Sequence, residues 1–163
     1  MRLDSGALRV SGSGKLTGAS DSGTFVWQKL TGDGQIVARI SSLARAGSET
    51  RAGVMIRDSL SAKSPHVFFG INDDASCRQI VRQRQGGPQR SEKAGKSGIP
   101  DVWLKLVRSG DTVTTFKSDD GENWRRVGSD SVKLGRTCYV GLIVSGGDGR
   151  EADAVFRDVR IKP

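Results

Sequence analysis

The sequence contains few of the side chains that most metal sites and catalytic centres require. Its 163 residues include one histidine, His66, and two cysteines, Cys77 and Cys138. Neither cysteine belongs to a CxxC pair, and His66 lies at no standard zinc spacing from either of them. The sequence therefore predicts no zinc site. It leaves open whether the cysteines form a disulfide between neighbouring strands or remain two buried thiols.

Paired carboxylates and nucleophile motifs are also missing. The glutamates fall in polar, loop-like segments, at Glu49, Glu92, Glu122 and Glu151. No strand carries two carboxylates on one face, as a glycosidase would need. His66 has no GxSxG serine to activate, and no glycine-rich phosphate loop is present. We predict that the protein is not an enzyme, and a cryptic glycoside hydrolase ranks third among the functions that the residues allow.

Long apolar runs are absent as well. None approaches the roughly 18 residues of a membrane helix, so we expect no insertion into a membrane. The residues that follow Met1 are mostly polar, so we expect no signal peptide among them.

Positive charge dominates, but it is spread thinly. Lysine and arginine number 26 against 18 aspartates and glutamates, which gives a net charge of +8 and favours anionic partners. Basic residues are concentrated in one stretch, at Arg78, Arg82, Arg84, Arg90, Lys93 and Lys96. Within it, Arg78, Arg82 and Arg84 share one strand face and form a weak candidate for anion binding. No RNA-binding aromatic pair accompanies them, so the sequence does not favour nucleic acid as a partner.

What the sequence does contain is alternation of apolar and polar residues, interrupted by turn residues. The clearest case is Val102–Trp124, which reads VWLKLVRSGDTVTTFKSDDGENW. Two alternating runs are joined by Ser109–Asp111 and closed by Asp119–Gly121, which is the pattern of strand, turn, strand, turn. This unit predicts an antiparallel, all-β protein in which many carboxylates shape turns.

The same alternation predicts about eleven or more strands and at most one short helical turn, at Asp58–Ser64. The predicted strands are Ala7–Val10, Thr24–Leu30, Gln35–Leu43, Ala52–Arg57, Val67–Asn72, Arg78–Arg84, Val102–Arg108, Thr112–Lys117, Trp124–Val127, Cys138–Ser145 and Ala152–Ile161. So many short strands in one domain, residues 1–163 with a core at about 6–161, favour a two-sheet jelly-roll sandwich. In the last strand the apolar parity changes, which predicts a bulge near Arg157 and Asp158.

Five blocks of the sequence resemble a known family of bacterial modules. They are TFVWQKLTGDGQIVARI, AGVMIRDSL, VWLKLVRSGDTVTTFKSDDGENW, YVGLIVSG and AVFRDVRI, and the similarity covers about Gly6 to Ile161. The family is that of concanavalin A-like, laminin-G-like sandwiches found in surface proteins and beside glycoside hydrolase domains. The resemblance implies an extracellular or cell-surface location. It also implies a non-catalytic carbohydrate-binding or adhesion module of a larger protein; the alternative is a protein-interaction or spacer domain without a small-molecule ligand.

Strand parity separates a predicted core from a candidate binding face. The core parity holds Ile36, Ala38, Ile40, Val54, Ile56, Leu104, Leu106, Val140, Leu142 and Val144. The opposite parity presents the candidate ligand-binding residues Arg39, Met55, Arg57, Trp103, Lys105 and Tyr139, with open space at Gly53 and Gly141. Aromatic rings beside cations suit a glycan, including an acidic one whose charge the cations would complement, or another protein. Trp27 and Phe69 are expected in the core.

Other interpretations of this face stay open. Ser91–Pro100 would cover Trp103 if it folded across the sheet. Arg39 or Arg57 would be neutralised if Asp58 or Asp101 paired with them.

The turn Ser118–Trp124 is the remaining candidate for a special role. Its Asp and Asn side chains most simply bond nearby backbone amides, with Trp124 packed beneath them. A calcium ion held by carboxylates is the alternative, for which Asp73, Asp74 and Asp148 compete. We predict no cofactor and no metal ligand.

Overall fold

The structure, a computed structural model, describes residues 2–4, 6–16, 20–44, 49–96, 101–147 and 149–163. These residues form thirteen strands and no helix, arranged as two antiparallel sheets. The all-β sandwich predicted from the sequence is confirmed. No helix within these ranges has the length and apolar character needed to span a membrane.

One sheet has seven strands and the other has six. The seven-stranded sheet has the order β1 (Arg2–Asp4), β2 (Ala7–Gly12), β13 (Ala152–Lys162), β4 (Gly34–Ala44), β9 (Val102–Ser109), β10 (Thr112–Ser118) and β11 (Arg125–Ser131). The six-stranded sheet has the order β3 (Thr24–Thr31), β12 (Thr137–Ser145), β5 (Arg51–Arg57), β6 (His66–Asn72), β7 (Ser76–Arg82) and β8 (Gln89–Lys96).

The core lies between the two sheets because each contributes its apolar parity to one cluster. Ile36, Leu104 and Phe156 come from the seven-stranded sheet, and Val54 and Phe69 come from the other; all are fully buried. Burying one such side chain contributes about 1.5–3 kcal/mol relative to leaving it exposed. The core parity predicted from the sequence is confirmed, and so is the burial of Phe69.

Strand β13 contains the predicted bulge. Phe156 pairs with Ile40 and Ile161 pairs with Ile36, although the two residues lie on opposite parities of an unbroken strand. The register shifts between Arg157 and Arg160, where Asp158 has a φ of 53°. One extra residue here lets both halves of the strand turn apolar side chains inward.

Every predicted strand overlaps an observed one, and two observed strands were not predicted. Strand β1 has only three residues, and β8 reads QRSEKAGK, in which a single alanine is apolar. Neither has an apolar alternation to reveal it. The segment 58–64 forms turns. The Ser64 hydroxyl accepts a hydrogen bond from the Ser59 amide, and the Ser61 hydroxyl accepts one from the Lys63 amide.

Both cysteines are free and buried. Cys77 lies on β7 and Cys138 on β12, with β5 and β6 between these strands. Of the two alternatives that the sequence left open, the structure shows buried thiols.

Candidate functional site

The six candidate ligand-binding residues do not share one surface. Arg39, Trp103 and Lys105 lie on β4 and β9 of the seven-stranded sheet, whereas Met55, Arg57 and Tyr139 lie on β5 and β12 of the six-stranded sheet. Equal parity places a side chain on the outer face of its own sheet, and these two outer faces point in opposite directions. The interpretation of the six as a single face is therefore wrong.

The outer face of the six-stranded sheet is partly filled by the segment that precedes β3. Leu16 is 1% exposed and packs with Met55, Phe68, Ile80 and Ile143 in a second apolar cluster. Met55 is consequently fully buried and has no surface to offer a ligand.

Beside this cluster, one carboxylate binds two buried arginines. Asp21 forms an ion pair with Arg57, whose Nη1 lies 2.9 Å from the carboxylate Oδ2, and a second ion pair with Arg82. Arg57 also donates to the carbonyls of Ser59 and Ser61, at 2.8 and 2.5 Å. Removing one partner from a buried ion pair typically costs about 3–5 kcal/mol, because an uncompensated charge remains.

The only histidine borders the same group. His66 is fully buried, and its Nε2 lies 2.9 Å from the Gln89 side-chain amide. Burial, together with the charges of Arg57 and Arg82, lowers the pKa of His66 well below 6.5. The imidazole is therefore neutral at neutral pH, and the two guanidinium groups pair with the Asp21 carboxylate.

The weak anion-binding set does not form one surface either. Arg82 is fully buried and is occupied by Asp21 and by the carbonyls of Ala62, Ser64 and Gly87. Strand β7 ends at Arg82, so Arg84 lies beyond it. Arg78 donates to Ser91 at 2.8 Å. Arg78 and Arg82 share the outer parity of β7, as predicted, but Arg82 is buried and Arg84 lies outside the strand, so the prediction is wrong for the three arginines as one open face.

An open cleft remains on this outer face, at the edge strand β3. We call it the Trp27 cleft; its volume is about 270 Å³ and its lining includes Trp27, Phe25, Leu60 and Arg57. Trp27 is 42% exposed and Leu60 is 50% exposed, and no other large apolar side chain in the described ranges is exposed. The rings of Tyr139 and Trp27 are in T-shaped contact, with a centroid distance of 4.8 Å and an interplanar angle of 89°.

The expectation that Trp27 belongs to the core is wrong. On β3 the inward side chains are Val26 and Leu30, which pack with the core, so Phe25 and Trp27 point outward. The sequence held this signal in the parity of Val26 and Leu30. The predicted space at Gly53 and Gly141 is filled by backbone, because an added Cβ would lie 2.2 Å from the Phe69 carbonyl oxygen and 1.9 Å from that of Val26.

On the seven-stranded sheet, the turn between β10 and β11 covers Trp103. Gly121 lies directly on the ring, and a Cβ added there would be 2.8 Å from it. The predicted cover, Ser91–Pro100, is wrong, since Gln89–Lys96 is the edge strand of the other sheet; residues 97–100 are outside the described ranges. Arg39 lies over the same ring at 5.5 Å.

The predicted pairing of Arg39 is confirmed. Its guanidinium is 3.5 Å from Asp101 and 3.1 Å from Asp158. Arg57 pairs with Asp21 rather than with Asp58, whose carboxylate accepts the Gly135 amide at 2.6 Å.

The turn itself is built on Asp120, as expected for a turn-forming carboxylate. Its oxygens accept from the Ser118 hydroxyl, from the amides of Glu122 and Asn123 and from the Asn123 side chain, at 2.7–2.9 Å. These hydrogen bonds, from Asn123 first, hold the pKa of Asp120 well below its usual range. In the described ranges no three His, Cys, Asp or Glu side chains are grouped as metal ligands; Asp148 lies outside these ranges, and calcium stays an untested alternative.

No family model matches the sequence. No curated protein matches it either.

Solved structures with the same fold are numerous. A functionally unknown protein from Saccharomyces cerevisiae matches with a TM-score of 0.82 and 14% identity, over 99% of this chain and 90% of that one. The xylan β-1,4-xylosidase from Bacillus halodurans matches with a TM-score of 0.65 and 21% identity, over 96% of this chain. The carbohydrate-binding module CBM66 from Bacillus subtilis matches with a TM-score of 0.56 and 17% identity, over 97% of this chain and 96% of that one.

These likenesses establish the fold, a β-sandwich that carbohydrate-related proteins also have. The chain spans about a third of the xylosidase, 33% of its length. It spans nearly all of the yeast protein and of CBM66.

Proposed function

We propose that the protein is a non-catalytic carbohydrate-binding module and that the Trp27 cleft is its binding site. The observation that carries the proposal is the exposed indole of Trp27, which lines a cleft and is in T-shaped contact with the ring of Tyr139. The apolar face of a sugar ring packs well on such a surface. The fold likeness to CBM66 and to part of a xylosidase supports the proposal.

The cleft offers a fixed platform. Tyr139 and Trp27 lie on the paired strands β12 and β3, with Gly141 as the direct partner of Trp27. Arg57, which also lines the cleft, is held by Asp21 and two carbonyls, and its guanidinium lies 5.8 Å from the Phe25 ring. A preorganised site loses little conformational entropy when a ligand binds.

The same cleft argues against hydrolysis. Among the residues that the structure describes, Asp21 is the one carboxylate that lines it, and two arginines pair with that carboxylate. Glycosidases need two carboxyl groups across the scissile bond, about 5–9.5 Å apart. We therefore keep the non-catalytic assignment as part of the proposal.

The test is a glycan array followed by calorimetric titration of the wild-type protein, Trp27→Ala and Trp124→Ala. Trp124 lies on the other sheet face and is the matched control for the loss of an indole. We expect Trp27→Ala to weaken binding about tenfold or more, which is about 1.4 kcal/mol, and Trp124→Ala to leave neutral glycans unaffected. Binding to no glycan, or equal losses in both variants, would contradict the proposal.

A protein partner is the second candidate, and the exposure of Leu60 next to Trp27 favours it. Large aromatic and aliphatic side chains of this kind anchor protein interfaces. Leu60→Ser separates the two functions, because a protein interface would lose the Leu60 contact whereas ring stacking depends on Trp27. A pull-down that fails with Leu60→Ser while glycan binding is absent would favour the second candidate.

The setting of the module is also a proposal. We infer that it works outside the cell or at its surface, beside other domains of a larger protein. The sequence resemblance to surface modules supports this, and so does the match to one part of a xylosidase. Fractionation of the native host with an antibody against the module would test the location.

A further inference from the structure

A second cleft, on the outer face of the seven-stranded sheet, differs from the Trp27 cleft in charge. It has a volume of about 370 Å³ and is lined by side chains of β4, β9 and β13 and by the turn of residues 120–124. This is within the range of about 300–1,000 Å³ typical of small-molecule sites. We call it the cationic cleft, after Lys105, Arg160 and Lys162.

The bulge in β13 supplies one wall. Arg160 pairs with Val37 and Lys162 with Gln35, and both cations line the cleft. Both therefore lie on the outer face of the sheet. Without the extra residue at the bulge, Val159 and Ile161 would lie on that face instead. In the described part of the chain, neither cation has a carboxylate within ion-pair distance.

Lys105 supplies a third cation, held in place by aromatic rings. Its Nζ lies 4.2 Å from the centroid of the Trp124 ring and 4.7 Å from that of Phe116. Cation–π contacts of this kind fix an ammonium without neutralising it. Burial lowers the pKa of Lys105 below its ordinary value, and the two rings place its ammonium group in the cleft.

The opposite wall has a different character. Asp120 lines the cleft, but its oxygens are engaged by four donors of its own turn. Glu122 is exposed and stands beside it on the same turn. A ligand for this site must offer an anionic group to the three cations and hydroxyl donors to Glu122.

We propose that the cationic cleft binds an anionic saccharide, one that carries a carboxylate or a sulfate group. Saccharides of this class combine an anion with several hydroxyl donors on one ring. A nucleic acid fits less well, because its evenly spaced phosphates need a continuous basic groove and would meet Glu122. No described residue lines both this site and the Trp27 cleft, so the proposal does not depend on the function proposed for that cleft.

The test measures binding of three oligosaccharides of equal length: a sulfated heparin fragment, an oligogalacturonate and a neutral xylooligosaccharide. The test variant is Arg160→Gln/Lys162→Gln. The matched control is Arg9→Gln/Lys133→Gln, which removes the same charge at exposed positions outside both clefts. Thermal unfolding and circular dichroism establish that each variant is folded.

We expect at least one anionic oligosaccharide to bind. Binding of the oligogalacturonate would show that a carboxylate is sufficient, whereas binding of the heparin fragment alone would show that sulfate is required. The test variant should lose about tenfold or more in affinity, while the control and Trp27→Ala change it less than about twofold. Affinity should also fall steeply between about 50 and about 200 mM salt, as for any charge-driven complex.

Four results would overturn the inference. They are the absence of binding to both anionic probes, equal losses in test and control variants, loss of binding in Trp27→Ala, and equal affinity for single-stranded DNA of the same charge. The third would place the anionic sugar in the Trp27 cleft, and the fourth would make nucleic acid the ligand.

Discussion

Asp21 is the residue that fastens the segment before β3 to the face of the six-stranded sheet. Its carboxylate reaches Arg57 on β5 and Arg82 on β7, the second 61 positions away in the sequence. Two guanidinium groups without this carboxylate would repel each other at low dielectric. The arrangement also explains why the imidazole of His66 beside them is uncharged at neutral pH, since a third positive charge would otherwise have to be buried there.

Protonation of His66 should couple stability to pH. The pKa of the His66 imidazole in the folded protein lies well below 6.5. Well above pH 6.5 the imidazole is therefore neutral in both the folded and the unfolded protein. Below pH 6.5, the unfolded chain takes up a proton that the folded protein does not. The free energy of unfolding should therefore fall by up to about 1.4 kcal/mol per pH unit as the pH drops below about 6.5.

Urea unfolding between pH 7.5 and 5.5 measures this loss. Because His66 is the only histidine, its imidazole resonances in the folded protein can be assigned without ambiguity. An imidazole that titrates in the folded state near pH 6.5 would refute the prediction.

The candidate site was predictable from sequence for single residues, but not for their grouping. Parity placed Trp103, Lys105 and Tyr139 correctly outside the core. It could not tell which sheet each strand joins, because strand order depends on contacts between distant residues. Asp21 was missed for the same reason: a lone aspartate in a glycine- and serine-rich segment gives no sign of two arginines so far along the chain.

At the scale of elements, a turn and a bulge shape the seven-stranded face. The turn after β10 rests on Trp103 because Gly121 has no side chain and adopts a φ of 79°. The bulge reverses the outward parity of β13 and so brings Arg160 and Lys162 to the cationic cleft. Both features follow from short-range signals, a DDG turn and a change of apolar parity, and the bulge was predictable for that reason.

Two glycines with similar backbones should respond differently to alanine. Gly121 and Gly110 both have positive φ, at 79° and 62°, but only Gly121 has a ring at 2.8 Å from an added Cβ; Gly110 has open space. Gly110→Ala should lose roughly 1–2 kcal/mol from backbone strain. Gly121→Ala should lose about 1–3 kcal/mol more from overpacking.

Denaturant unfolding of the two variants gives both values, and Gly110→Ala is the control for strain alone. The emission of Trp103 should also change in Gly121→Ala. Equal losses in the two variants would mean that the turn does not rest on the ring.

At the scale of the whole molecule, the two outer faces carry different chemistry on one shared core. On the outer face of the six-stranded sheet, Leu16 covers an apolar cluster, and the Trp27 cleft lies at the edge of the sheet. The seven-stranded face keeps a cleft with three cations. The net charge of +8 predicts an anionic partner only in general terms, because charge composition does not say on which face the unpaired cations meet.

The buried thiols report on opening of the entire core. Cys77 and Cys138 are both 0% exposed, and burial raises the pKa of Cys77 to about 11 and raises that of Cys138. Neither thiol should react with an aromatic disulfide reagent in the native protein at pH 8, because the thiolate is the reactive species. Both should react at once in strong denaturant.

The reaction in denaturant is the control, since it counts the free thiols. Rapid modification of one cysteine in the native protein would show local opening of the six-stranded sheet. A denatured protein with no reactive thiol would show a disulfide instead.

The offset in β13 has a consequence for solubility. Pairing with β2 ends at Arg157, whereas pairing with β4 continues to Lys162, so within the described ranges the backbone of residues 158–162 has an open edge. Asp158, Arg160 and Lys162 place charges along this edge, and Pro163, which has no N–H, follows it. Charged residues and proline discourage another chain from adding a strand. The extra residue in β13 thus leaves an unpaired strand edge, and the charged residues and proline along it disfavour the strand addition by which fibrils grow.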